Sequence, residues 1–151
     1  MSSKYLMKKN VIVGLGEIGT PIYKLLSKNF LSVGYDLNEN LMDVKKFKKY
    51  ENTETIFLHI CIPFSKKFIS NVQKIVKKFD PEIIVIHSTI SPNTTTKLQS
   101  RLKIPVIYSA TRGVHKRMLF DLKRYTKFFA ISSNAPRKNF AVSEFKKLMK
   151  K

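Results

Sequence analysis

Residues 10–19, "NVIVGLGEIG", set Gly14, Gly16 and Gly19 in a GxGxxG spacing directly behind an apolar run and directly ahead of the helical pattern Ile18, Ile22, Leu25 and Leu26. In a strand–turn–helix context each glycine has a separate task. The first makes a tight turn, the second lets the backbone approach a pyrophosphate, and the third lets the helix pack closely on the strand. The helix N-terminus then offers free N–H groups and a positive dipole end to phosphate oxygens. The same fingerprint requires an acid at the end of the next strand, where a carboxylate accepts hydrogen bonds from a ribose. Asp36, closing "FLSVGYD" (30–36), stands at that position. The plainer alternative is a glycine bend followed by an Asp that opens a helix before Asn38–Leu41. A carboxylate suits a free 2′-hydroxyl and repels a 2′-phosphate, so Asp36 points to NAD over NADP, with Lys45, Lys46 and Lys48 as the basic residues that blur this preference.

Outward from this turn, apolar runs of strand length recur: "NVIVGLG" (10–16), "FLSVGYD" (30–36), "TIFLHICIP" (55–63), "EIIVIHST" (82–89), "IPVIYSA" (104–110) and "TKFFAIS" (126–132). Helical spacings lie between them, as in Leu41, Val44 and Phe47, or Phe68, Val72, Ile75, Val76 and Phe79. Strands that read as continuous apolar runs, alternating with amphipathic helices, are the signature of a parallel sheet covered on both faces. The expectation is an α/β, Rossmann-type doubly wound parallel sheet of about six strands. It forms one domain over 1–151, with 132–151 as a terminal helix. "KYENTE" (49–54) leaves no room for a strand plus a return crossover, so the edge strand beyond the second is expected to be missing or vestigial.

Composition narrows the function classes. A net charge of +19 attracts nucleic acid, anionic lipid or phosphorylated ligands. Yet the arginines are few (Arg101, Arg112, Arg117, Arg124 and Arg137) and the lysines are scattered in pairs, whereas specific nucleic-acid readout leans on Arg and aromatic platforms. Nucleic-acid binding is therefore the secondary expectation. Cys61 is the sole cysteine, which removes internal disulfides and the usual zinc motifs. The longest apolar stretch, "TIFLHICIPF" (55–64), is about half a membrane span, and "MSSKYLMKKN" (1–10) lacks the apolar core of a signal peptide. A cytoplasmic protein without membrane partners is expected.

"VGLGEIG" (13–19), "YD" (35–36), "TIFLHICIP" (55–63) and "IIVIHSTISPNTTTKL" (83–98) together resemble the N-terminal NAD-binding domain of the UDP-glucose/GDP-mannose dehydrogenase family. More broadly, they are similar to the superfamily of 6-phosphogluconate and 3-hydroxyisobutyrate dehydrogenases. Ser88-Thr89-Ile90-Ser91-Pro92-Asn93-Thr94-Thr95 resembles the family's Ser-Thr-x-x-Pro-Gly-Thr-Thr, with Asn93 in place of Gly, while "ICIPFS" (60–65) departs from its Val-Pro-Thr-Pro. The resemblance spans roughly residues 10 to 132. It implies an NAD cofactor whose pyrophosphate is lined by Gly14, Leu15, Gly16, Glu17 and Ile18, with Gly19 completing the cofactor-binding turn and Asp36 on the adenosine ribose. Ile62 and Pro63 would form the adenine-side wall, and Ser88 and Thr89 the nicotinamide end. The family's catalytic Lys, Asn and Cys belong to a later helical domain, which these residues do not match.

Hydride transfer also needs a substrate pocket and an acid or base. Cys61, His59 and His87 sit in or beside apolar runs and read as buried core groups. His115, in "TRGVHKRM" (111–118), is the acid–base candidate, beside Arg112, which could grip a carboxylate or phosphate; the plainer alternative is that this segment merely opens a helix. The expectation is thus a dinucleotide-binding half of an NAD-dependent dehydrogenase, with its activity as an isolated chain undecided. A partner chain or a second copy would complete it. A non-catalytic nucleotide-sensing or anion-binding module is the alternative.

Overall fold

A computed structural model of the protein describes residues 7–111, 115–124 and 127–150. The chain alternates β1 (Lys9–Val13), α1 (Gly19–Leu26), β2 (Ser32–Tyr35), α2 (Val44–Lys49), β3 (Thr55–Ile60), α3 (Phe68–Phe79) and β4 (Ile83–Ile86). It continues with α4 (Thr94–Arg101), β5 (Val106–Tyr108), α5 (Met118–Arg124), β6 (Ala130–Ile131) and α6 (Lys138–Leu148). The strands form one six-stranded sheet in the order β2-β1-β3-β4-β5-β6. This is the Rossmann-type architecture, with β2 as the edge and no strand beyond it among the described residues, as the short 49–54 segment requires.

The strands from β2 to β5 pair in parallel, and their runs are apolar because both faces are covered. On one face Ile12, Phe57, Val85 and Ile107 pack against Ile22 and Leu26 of α1 and Ala141 and Phe145 of α6. On the other, Val11, Leu58, Ile84 and Val106 pack against Phe68 and Val72 of α3 and Leu98 of α4. Every position of β1 and of β4 is buried, so a polar substitution in either would lose its water without gaining a partner.

The expected parallel six-stranded sheet is present, with one departure at its last strand: β6 runs antiparallel to β5, pairing Ile107 with Ile131 and Tyr108 with Ala130. The connection leaves and re-enters at the same end of β5. Lys127 Nζ donates to the Ser109 carbonyl at 2.8 Å and Ser109 Oγ donates to the Phe128 carbonyl at 2.6 Å, pinning the returning chain there. From that end it can only run back down the sheet. Helix boundaries shift as well: residues 39–41 form a separate 3₁₀ turn ahead of α2, and the terminal helix spans Lys138–Leu148 within the expected 132–151. No helix among the described residues is long and apolar enough to cross a membrane.

Candidate functional site

Strand order reverses between β1 and β3, since β2 lies on one side of β1 and β3 on the other. Loops leaving the carboxyl ends of such neighbours diverge to opposite faces, and the gap between them is where open α/β sheets bind ligands. A cleft of about 870 Å³ opens there.

Its floor is the glycine turn. Gly14 adopts φ +91°, and a Cβ there would stand 2.9 Å from the Cys61 backbone, so both its conformation and its contact with β3 require glycine. A Cβ on Gly19 would fall on the Gly14 carbonyl, which fixes how closely α1 approaches the turn. Gly16 differs from both: nothing lies within 4 Å of where its Cβ would be, and it faces the cleft. Two glycines are thus required by the fold, and the third keeps a cradle open. α1 begins here with no side chain capping it, so its amides are not competed for by a cap at Ile18.

Asp36 closes one side. Its Oδ2 accepts the Leu15 N–H at 2.7 Å and its Oδ1 accepts the Asn38 N–H at 2.8 Å. These bonds hold the carboxylate against the turn while leaving each oxygen further acceptor capacity. The Leu15 amide is consequently spent on Asp36, and its side chain is buried against Gly34, outside the cleft lining. Across the cleft, Ser88 Oγ donates to the Ile62 carbonyl at 2.5 Å, tying the loop after β4 to that after β3.

Of the residues singled out from sequence, Gly14, Gly16, Glu17, Ile18, Asp36, Ile62, Pro63, Ser88 and Thr89 converge on this cleft, while Leu15 and Gly19 lie behind it. Arg112 lies outside the described residues. His115 opens a 3₁₀ turn, His115–Arg117, and its side chain is likewise outside them. Cys61 lines the cleft, but burial pushes its thiol up to about 12, so it stays protonated and inert. His59 is fully buried and pushed down to about 3, again by burial, with the Lys127 charge adding to the effect.

Asn71, Lys74 and Lys78 of α3 also line the cleft, and sequence reasoning passed over them. Lys78 Nζ sits 5.3 Å from the Tyr35 ring centroid, next to Asp36. The basic residues flanking Asp36 come from α3, whereas Lys46 of α2 donates to Tyr23 Oη at 3.2 Å. A helical spacing of four between Lys74 and Lys78 was the available signal, but which edge α3 borders depends on strand order. No cluster of metal-ligating side chains occurs among the described residues.

No family model matches the chain, and no curated protein sequence does. Solved structures do match its fold. A UDP-D-ManNAc dehydrogenase from Pyrococcus horikoshii aligns at 17% identity and TM-score 0.72 over 93% of this chain and 44% of its own. A UDP-N-acetyl-mannosamine dehydrogenase from Staphylococcus aureus aligns at 15% identity and TM-score 0.65 over 94% and 45%. A reductive aminase from Aspergillus terreus, solved in complex with NADPH and ethyl levulinate, aligns at 12% identity and TM-score 0.54 over 74% and 43%. The chain spans less than half the length of each of these proteins. At such identities the likeness speaks for the fold: across nearly all of its length this chain has the α/β fold found in UDP-N-acetylmannosamine dehydrogenases, in line with the resemblance carried by its glycine turn and Ser88–Thr89 segment.

Proposed function

We propose that this chain is the NAD(H)-binding half of an NAD-dependent dehydrogenase of the nucleotide-sugar or hydroxyacid type, completed by a substrate-binding half from a partner chain or a second copy. One observation carries the reading: an open, glycine-floored turn at Gly16 lies at a helix start and faces the carboxylate of Asp36 in a cleft of about 870 Å³. In this reading Gly16, Glu17 and Ile18 hold the pyrophosphate, Asp36 holds the adenosine ribose, Ile62 and Pro63 flank the adenine, and Ser88 and Thr89 border the nicotinamide. The cofactor supplies the hydride chemistry. The chain's own residues bind it, orient it and fix the side of the ring that a substrate would meet.

Asp36 makes the preference NAD over NADP, because a 2′-phosphate would meet its carboxylate. The neighbouring dehydrogenases and the NADPH-bound reductive aminase support a nicotinamide dinucleotide in general.

Fluorescence titration with NADH tests the main reading. Saturable binding is expected, weakened about tenfold or more by Asp36→Ala. The milder Asp36→Asn, which keeps one acceptor for the two amides, should narrow the preference for NADH over NADPH. Affinity should change little with added salt, whereas binding to DNA would fall steeply. Absence of saturation at millimolar NADH would reject the proposal.

A further inference from the structure

Among the described residues, the charged groups that line the cleft are Glu17, Asp36, Lys74 and Lys78. Glu17 belongs to the glycine turn. Asp36 follows β2, and the two lysines line the same cleft from α3, four residues apart and so on one face of that helix. Lys77, between them in sequence, does not line the cleft. Their apolar neighbours in the lining, Leu37, Leu41 and Ile75, add no charge to oppose the lysines.

Lys78 is held in place by aromatic rings. Its Nζ sits 5.3 Å from the Tyr35 ring centroid and 5.8 Å from that of Phe79. Tyr35 in turn stacks on Phe47 at 5.7 Å and meets Phe79 edge-on at 5.3 Å, so the platform is fixed by α2 and α3 together. A cation beside such rings is attracted by their quadrupoles. The ammonium is thereby placed over the residue that immediately precedes Asp36. Among the described residues no carboxylate pairs with Lys74 or Lys78. Asp36 for its part accepts the Leu15 and Asn38 amides at 2.7 and 2.8 Å, and donors aimed at a carboxylate offset part of its charge.

NAD leaves these cations unmatched. On the dinucleotide reading of the cleft, on which this inference rests, both phosphates of the cofactor lie at the Gly16 turn. Beyond Asp36 the molecule carries only a ribose and an adenine, which are neutral. A further phosphate on the adenosine would bring roughly two negative charges at neutral pH to this end of the cleft. Lysine ammonium groups bind phosphate as point charges, and two of them outweigh one partly neutralised carboxylate.

We propose that Lys74 and Lys78 are specificity-determining residues that receive the 2′-phosphate of NADP(H), so that the cleft accepts both nicotinamide dinucleotides. Asp36 opposes the phosphate by like charge and favours the free 2′-hydroxyl; the lysines of α3 offset that repulsion. The preference for NADH is the difference between the two effects, and it is shallow.

Parallel fluorescence titrations with NADH and NADPH test this. Both should saturate, with affinities within about tenfold of each other. Added salt should weaken NADPH more than NADH, because charge pairs between exposed lysines and a phosphate are screened. The double variant Lys74→Gln/Lys78→Gln should lower the ratio of NADPH to NADH affinity about tenfold, and Lys78→Arg, which keeps the charge, should retain most of the ratio. Lys77→Gln removes the same charge from α3 away from the cleft and should leave the ratio unchanged. Isothermal titration with 2′,5′-ADP and 5′-ADP should repeat the pattern on the adenosine half alone. All three lysines are exposed, so thermal melts of the variants should match the parent. Saturable NADH with no NADPH binding at millimolar concentration would overturn this inference and leave the dinucleotide reading standing. So would an equal ratio in the double variant and Lys77→Gln. Failure of both cofactors to saturate would overturn the two together.

Discussion

Gly14, Gly16 and Gly19 look alike in the sequence and differ in what each holds open. Gly14 stands at φ +91° against the Cys61 backbone, and Gly19 abuts the Gly14 carbonyl, so alanine at either forces backbone to move. Gly14→Ala should cost about 1–3 kcal/mol or more in urea denaturation, with Gly19→Ala in the same direction. Gly16→Ala meets no atom within 4 Å and should leave stability within about 0.5 kcal/mol while weakening NADH binding about tenfold. A Gly16→Ala variant that binds NADH like the parent would show that the cradle is not where the pyrophosphate sits. The spacing of the three glycines and the placement of Asp36 were legible in the sequence because local geometry dictates them. That Asp36 engages the Leu15 and Asn38 amides was not, since one of those partners lies across the sheet edge.

Among the elements, α4 shows how a departure from a motif can preserve its backbone. Asn93 stands where the resembled family has glycine, and it adopts φ 66°, ψ 0°, the left-handed conformation that asparagine tolerates better than other side chains. Asn93→Gly should therefore be neutral to slightly stabilising, and Asn93→Val should cost at least about 1–2 kcal/mol by chemical denaturation. Equal stabilities for the two variants would mean that the turn before α4 relaxes to another conformation. The existence of the strands and their places along the chain were readable from apolar runs with helical spacing between them. The direction of β6 was not, because Ser109, Lys127 and Phe128 set it through contacts between segments far apart in sequence.

At the scale of the whole molecule, buried histidines couple stability to pH. Burial holds His59 at about 3 and His87 well below its ordinary range, while an unfolded imidazole titrates near 6.5. Below that value the unfolded chain takes up protons that the folded chain refuses. The stabilisation is thus fully present above about pH 6.5 and is lost as pH falls toward about 3, by up to about 1.4 kcal/mol per pH unit for each ring. Urea midpoints should fall between about pH 7 and pH 5, where most carboxylates remain ionised; a flat profile would mean that the pair is solvated and protonated in the folded state. The sequence by itself determined the alternation of strands and helices, the lack of room in 49–54 for a further strand and its crossover, the glycine turn and its acid, because backbone sterics and hydrophobic period act over a few residues. Only the tertiary structure decided that Lys74 and Lys78 border the cleft, that the last strand turns antiparallel, and that His59, His87 and Lys127 share one buried region. Those outcomes depend on which distant segments the sheet order brings together, and no local spacing records that.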